Sequence, residues 1–169
     1  MAVTVPLLYR YATLALAAYV DKPDIISPTD YRARLRVEGL SQGDAAAFLN
    51  DYQVLAYFND SVGSSASGTS GISTGVPSSA SATLFQDTHT GEQILAIRGS
   101  TDLADYATDF VSIFTLGSAK FQFQYTALRE KVVEWISSGI LKPGYTVTGH
   151  SLGGFLAVAL TASAGPEIS

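Results

Sequence analysis

One stretch constrains this chain more than any other. Tyr145-Thr-Val-Thr148, a β-branched run that reads as a strand, leads directly into Gly149-His150-Ser151-Leu152-Gly153. An apolar helical segment, Leu152 to Ala162, follows without a break. A strand that turns at once into a helix needs small residues on both sides of the bend, so that the two elements can approach. The G-x-S-x-G pattern provides them and leaves a serine on a sharp, strained turn, with its hydroxyl pushed out at the carboxyl edge of a sheet. The first turn of the helix then offers N–H groups to a developing negative charge. The pattern alone decides nothing, because Gly71-Ile72-Ser73-Thr74-Gly75 also fits it. That second match lies in a Ser/Gly-rich stretch with no strand before it and no helix after it, and is rejected as a nucleophile.

The rest of the chain is read around this bend. Leu7, Leu8, Tyr11, Leu14, Ala15 and Ala18 recur at helical spacing and predict a packed N-terminal helix that ends before Pro23. Arg10 and two tyrosines interrupt the apolar run there, and no small-x-small site follows, so a packed helix is favoured over a signal peptide. Thr29 to Val37 is charged and reads as irregular. Ser41 and Asp44 form a capping pair for a short helix over Ala45 to Leu49, and Gln53 to Phe58 reads as a strand. Residues 59–82 are dense in Ser and Gly and predict a mobile surface loop rather than a linker between domains. Ala82 to Gln86 and Gln93 to Arg98 read as a β-hairpin around a turn-rich connection, the second strand apolar enough to be buried on both faces. One helix is expected over Leu103 to Phe114, its stripe including Tyr106, Phe110 and Val111. A second is expected over Phe121 to Ser138, with Tyr125, Leu128, Val132 and Trp135 inward and Gly139 and Pro143 as stops. From Gln93 the order is thus strand, helix, helix, strand, helix. That alternation predicts an α/β fold with a mostly parallel sheet, covering helices and an N-terminal hairpin region.

Composition narrows the chemistry. The 169 residues suit one domain, and charged residues are only 15% against the usual ~25%. The net charge of −5 disfavours a nucleic-acid partner. The absence of cysteine removes disulfides and thiol catalysis, and with two histidines, His89 and His150, a histidine-rich metal site is not expected. No apolar stretch approaches the ~20 residues of a membrane-spanning helix. Localisation, secreted or cytoplasmic, stays open. His150 lies inside the bend, where its ring cannot reach Ser151 as a base, and is read as a packing and hydrogen-bonding residue; His89 is read as an exposed turn residue.

Thr148-Gly-His-Ser-Leu-Gly-Gly154 resembles the nucleophile elbow of class 3 lipases, the α/β-hydrolase family of fungal triacylglycerol lipases and their bacterial relatives. Ile94 to Thr101 (ILAIRGST) is similar to that family's apolar strand ending in Arg-Gly-Ser/Thr, and it precedes the serine at the family's spacing. The helix end Ala17-Ala18-Tyr19 resembles the family's opening. The resemblance implies a serine carboxylic-ester hydrolase working through an acyl-enzyme on Ser151. It implies an oxyanion hole from the backbone N–H groups of Ser100 and Leu152. Leu103, Tyr106 and Phe110 fall in the segment that forms the lipase lid, and Asp109 matches a recurrent acid there. A lid that meets a lipid interface and an ordinary core-facing helix both fit this stripe. The implied partner is an ester or lipid substrate. No cofactor is required by such chemistry, no metal ligands are assigned, and no Asp-rich loop suggests calcium.

The hydrolase triad runs Ser, then Asp or Glu, then His along the chain. After Ser151 this sequence holds no histidine and one acid, Glu167. The expectation is therefore a truncated α/β-hydrolase domain over residues 1–169, its triad Asp and His in a missing C-terminal segment of the same protein. A different class of reading keeps the scaffold as a non-catalytic binding or assembly module.

Overall fold

A computed structural model describes residues 4–60, 79–99 and 110–163, including their side chains except those of residues 110–120. Its elements run in the order α1 (Val5–Ala17), α2 (Pro28–Val37), α3 (Gln42–Asp51), β1 (Tyr52–Asn59), β2 (Ser81–Asp87), β3 (Gln93–Ile97), α4 (Phe110–Ser137), β4 (Thr146–Gly149) and α5 (Leu152–Ala162). The chain is a mixed α/β structure.

The four strands form one sheet in the order β1-β2-β3-β4. β1 pairs antiparallel with β2, and β2 antiparallel with β3. Only β3 and β4 run parallel, Ile94 opposite Thr146 and Ile97 opposite Gly149. The sheet is therefore mixed, and the expectation of a mostly parallel one is corrected. The connections explain the difference. β2 and β3 are joined by a tight turn, which permits only antiparallel pairing, whereas β3 reaches β4 through the long helix α4.

Alternate residues of β3 divide the core. Ile94 and Ala96 face one side with Phe85, against Leu14, Ala17 and Ala18 of the α1 end and Leu35 and Phe48 of α2 and α3. Leu95 and Ile97 face the other with Leu84, against Leu128, Val132 and Trp135 of α4 and Leu156 and Leu160 of α5. Helices thus cover both faces, and all five residues of β3 are buried, as its apolar sequence requires.

Several expectations are met in detail. The Ser41 hydroxyl accepts from the Asp44 N–H at the start of α3, and the hairpin and the strand–helix pair around Ser151 form where expected. On α1, Leu14, Ala15 and Ala18 are buried as read, but Leu8 is exposed. Two helical expectations need correction. The charged stretch from Thr29 is no irregular segment but α2. Its Ser27 cap accepts from the Asp30 N–H, Pro28 pre-sets the first turn, and Tyr31 and Leu35 bury one narrow stripe while the charges face water. In place of separate helices ending at Phe114 and starting at Phe121, α4 runs unbroken from Phe110 to Ser137. A single Gly117 costs a helix only ~1 kcal/mol, too little to end it without a proline. The expected helix start at Leu103 lies outside the described residues, as does 61–78 of the Ser/Gly-rich stretch. The flanks of that stretch meet: Asn59 pairs with Ser81, and the Asp60 N–H donates to the Ala80 carbonyl.

Candidate active site

β4 ends at Gly149 and α5 begins at Leu152, so two residues, His150 and Ser151, make the whole reversal. Glycine makes it sterically feasible. A Cβ on Gly149 would collide with the Gly153 carbonyl, and one on Gly153 would collide with the Ile97 carbonyl of β3. Backbone therefore packs on backbone where the helix leaves the sheet. Ser151 absorbs the bend with φ 54° and ψ −125°. Residues with a side chain avoid this region, at a cost of roughly 1–3 kcal/mol. The Ser151 side chain makes no capping bond to its own helix. It is half-buried, and its hydroxyl bonds no backbone group among the described residues.

The first turn of α5 is almost fully used. The Gly153 N–H donates to the His150 carbonyl, and those of Gly154 and Phe155 donate to the Ser151 carbonyl. The Leu152 N–H has no acceptor among the described residues. It is a donor at the positive end of a helix, directly after the serine.

The end of β3 comes to the same place. A Cβ built on Gly99 would lie 3.3 Å from the Ser151 Cβ, 2.6 Å from the His150 carbonyl oxygen and 2.7 Å from the Tyr19 hydroxyl. Residue 99 must be glycine for the two segments to sit this close. Ser100 is the next residue in the chain but lies outside the described residues, together with Leu103, Tyr106, Asp109, Glu167 and the rejected Gly71–Gly75 match. Phe110 opens α4, and its side chain is not described.

His150 is exposed, and its Nδ1 lies 3.0 Å from the Tyr19 hydroxyl, the rings edge-to-face with centroids 5.9 Å apart. Burial holds the Tyr19 hydroxyl above its ordinary pKa, while the Gly99 N–H directed at it and the Arg98 charge pull the other way. Arg98 itself pairs with Asp21 at 2.7 Å, and Asp21 also accepts from the Tyr57 hydroxyl at 2.9 Å. The short segment after α1 thus touches the bend and the end of β3 together. Sequence reasoning noted Tyr19 only as part of a resemblance and did not single out Asp21; contacts between residues so far apart leave no periodic signal.

His89 sits in the β2–β3 turn, exposed and 3.2 Å from Asp51. That turn lies at the opposite end of β3 from Ser151, so His89 is not placed to take the serine proton. Among the described residues no three or more His, Cys, Asp or Glu gather as metal ligands, and no helix is long and apolar enough to cross a membrane. Comparison with protein-family models, curated proteins and solved structures finds none that matches this chain.

Proposed function

We propose that this chain carries the nucleophile and oxyanion elements of a serine carboxylic-ester hydrolase, lipase-like in substrate class. We read its mixed sheet as the N-terminal part of an α/β-hydrolase sheet. The observation that carries this is the backbone of Ser151: a strained, side-chain-bearing residue between a strand and a helix, with three glycines clearing the space around it. A module that merely bound a partner would gain nothing from holding a serine in a conformation glycine adopts freely.

In the proposed reaction the Ser151 Oγ attacks the ester carbonyl carbon. Its proton passes to a histidine outside these 169 residues, oriented by an acid also outside them; His89 lies at the far end of β3, and the His150 ring is turned to the Tyr19 hydroxyl. The carbonyl oxygen becomes an oxyanion held by the N–H groups of Leu152 and Ser100. Collapse breaks the bond to the alcohol, which leaves with the histidine proton, and the acyl group stays on Ser151. Water, deprotonated by the same histidine, releases the acid. Leu103, Tyr106 and Phe110 follow Ser100 along the chain as the apolar contacts for an acyl group. No cofactor takes part in these steps.

The test is hydrolysis of a short p-nitrophenyl ester by the whole protein that bears this chain. Ser151→Ala should lower turnover by at least about 10³-fold, and a fluorophosphonate should label the parent protein on Ser151 alone. Undiminished turnover in Ser151→Ala removes the reading.

A further inference from the structure

We infer that the outward face of α2 docks this protein on an anionic lipid surface; the docking stands on α2 alone, and its service to Ser151 rests on the hydrolase reading. The chain carries a net charge of −5, yet three of its ten lysines and arginines, Arg32, Arg34 and Arg36, stand on this one ten-residue helix. Arg34 is used within the fold, where it donates to the Asp21 carbonyl at 3.4 Å. Arg32 and Arg36 are exposed and make no hydrogen bond or ion pair with the described residues. Four residues apart, they are neighbours on the helix surface and repel each other. A cation in the last turn suits the helix dipole, which accounts for Arg34 and Arg36 but not for Arg32. The acids of this segment stand at the helix ends: Asp30 accepts from the Ser27 hydroxyl, and Glu38 follows the last turn, half-buried. No acid stands among the arginines.

Beside this basic row runs an apolar one. Ala33 and Val37, each one position after an arginine, are exposed as well, Val37 at 83%. Tyr31 and Leu35 face the core, so both rows point away from it. Cations beside apolar side chains suit the boundary of an anionic bilayer, where guanidinium groups meet lipid phosphates and the apolar side chains enter the acyl region. A purely acidic polypeptide would pair the arginines and leave Val37 in water. An uncharged lipid surface would take Val37 and leave the arginines without a counter-charge. The helix is also tied to the Ser151 end of the sheet. Asp21, which holds Arg34 through its carbonyl, pairs through its carboxylate with Arg98, where β3 ends beside the bend. Docking on α2 brings that end of the sheet close to the lipid.

The test is co-sedimentation of the whole protein that bears this chain, as its Ser151→Ala variant so that no lipid is consumed, with two kinds of vesicle. Vesicles of phosphatidylcholine with about one-third phosphatidylglycerol should bind it, and vesicles of phosphatidylcholine alone should bind it at least about tenfold less. Binding should fall away at about 1 M salt, where screening reaches only about 3 Å. Arg32→Gln/Arg36→Gln, exposed changes that keep good helix formers, should weaken binding to the anionic vesicles by about twentyfold. Val37→Ser should weaken it by about three- to tenfold. Lys131→Gln/Lys142→Gln removes the same charge elsewhere and should change it by less than about twofold. Unchanged binding in the arginine variant overturns the inference, and so does an equal loss in the lysine variant. Arginine-dependent binding to polyglutamate without binding to the anionic vesicles overturns it too, and assigns the face to an acidic protein. The two readings fail separately. Fluorophosphonate labelling of Ser151 in a parent protein that ignores the vesicles removes the docking and keeps the hydrolase. Vesicle binding in a protein whose turnover is independent of Ser151 keeps the docking and removes its service to an ester.

Discussion

The two ends of β3 are built on opposite plans. At the hairpin end, side chains make the joints. The Asp87 carboxylate accepts from the N–H groups of His89 and Thr90 across the turn and pairs with Arg10. The buried Gln93 amide donates to the Ile140 carbonyl and accepts from the Lys142 N–H, tying the strand to the end of α4. Glu92 accepts from the Thr146 hydroxyl of β4 and pairs with Arg10. At the other end, beside the Arg98–Asp21 and Tyr19–His150 pairs, the closest joints are made by removing side chains. Gly99, Gly149 and Gly153 let backbone meet backbone, and the residue forced to bend keeps a hydroxyl with no partner among the described residues. The first plan spreads stability over many replaceable bonds. The second concentrates strain on a single residue and leaves polar groups unspent, an arrangement suited to chemistry rather than to holding a sheet together.

The sharpest way to break this contrast is at Gly153. Gly153→Ala should cost about 3 kcal/mol or more in urea denaturation, because the new methyl meets the Ile97 carbonyl, which cannot yield without parting α5 from β3. Gly154→Ala, one residue on, meets only the Gly149 carbonyl oxygen at 3.3 Å and should change stability by no more than about 1 kcal/mol. Equal losses from the two would mean that the close crossing does not exist.

A gain in stability is expected at the bend itself. Ser151→Gly relieves the positive φ and should raise stability by about 1 kcal/mol, net of the extra flexibility of glycine in the unfolded chain, while removing the proposed nucleophile. A destabilised Ser151→Gly would show that the serine is there for folding.

The smallest effect belongs to the hairpin end and appears only in acid. Burial alone would raise the Asp87 pKa, but the N–H groups of Thr90 and His89 and the Arg10 charge hold it below its ordinary value. A carboxylate depressed on folding adds stability above its unfolded pKa of ~3.9 and loses it as pH falls through the lower folded value. Asp87→Asn should therefore flatten the acid side of a stability-against-pH curve and leave activity near neutral pH unaltered. An unchanged acid limb would deny Asp87 that role.

Much of the Ser151 end was readable because its signals are local. Strand, glycine, serine, glycine and apolar helix stand in one unbroken string, and Ser41 with Asp44 announces α3 within four residues. The readings that failed depended on balances or on distance. In α2 the arginines at 32, 34 and 36 mask a stripe of only two buried residues, Tyr31 and Leu35. The sheet was misjudged because alternation was read from Gln93 onward, where the one parallel pair lies, while the strands before it add two antiparallel pairs. The break expected before Phe121 had no proline behind it, and α4 continued. The contacts of Tyr19 with the bend were invisible because its partners lie far along the chain. Nothing near it in sequence distinguishes it from Tyr9 or Tyr11.

That remoteness bears on how the molecule is made. Tyr19 bonds a residue 131 positions later, and the Thr148 hydroxyl reaches the Tyr11 carbonyl across 137. Contacts of such span form late, after the intervening chain has closed a large loop. A nascent polypeptide leaving the ribosome would keep its first helix waiting until β4 emerged. The serine would be forced into its awkward posture only at that moment, so the Ser151 backbone comes under tension after the scaffold around it is assembled.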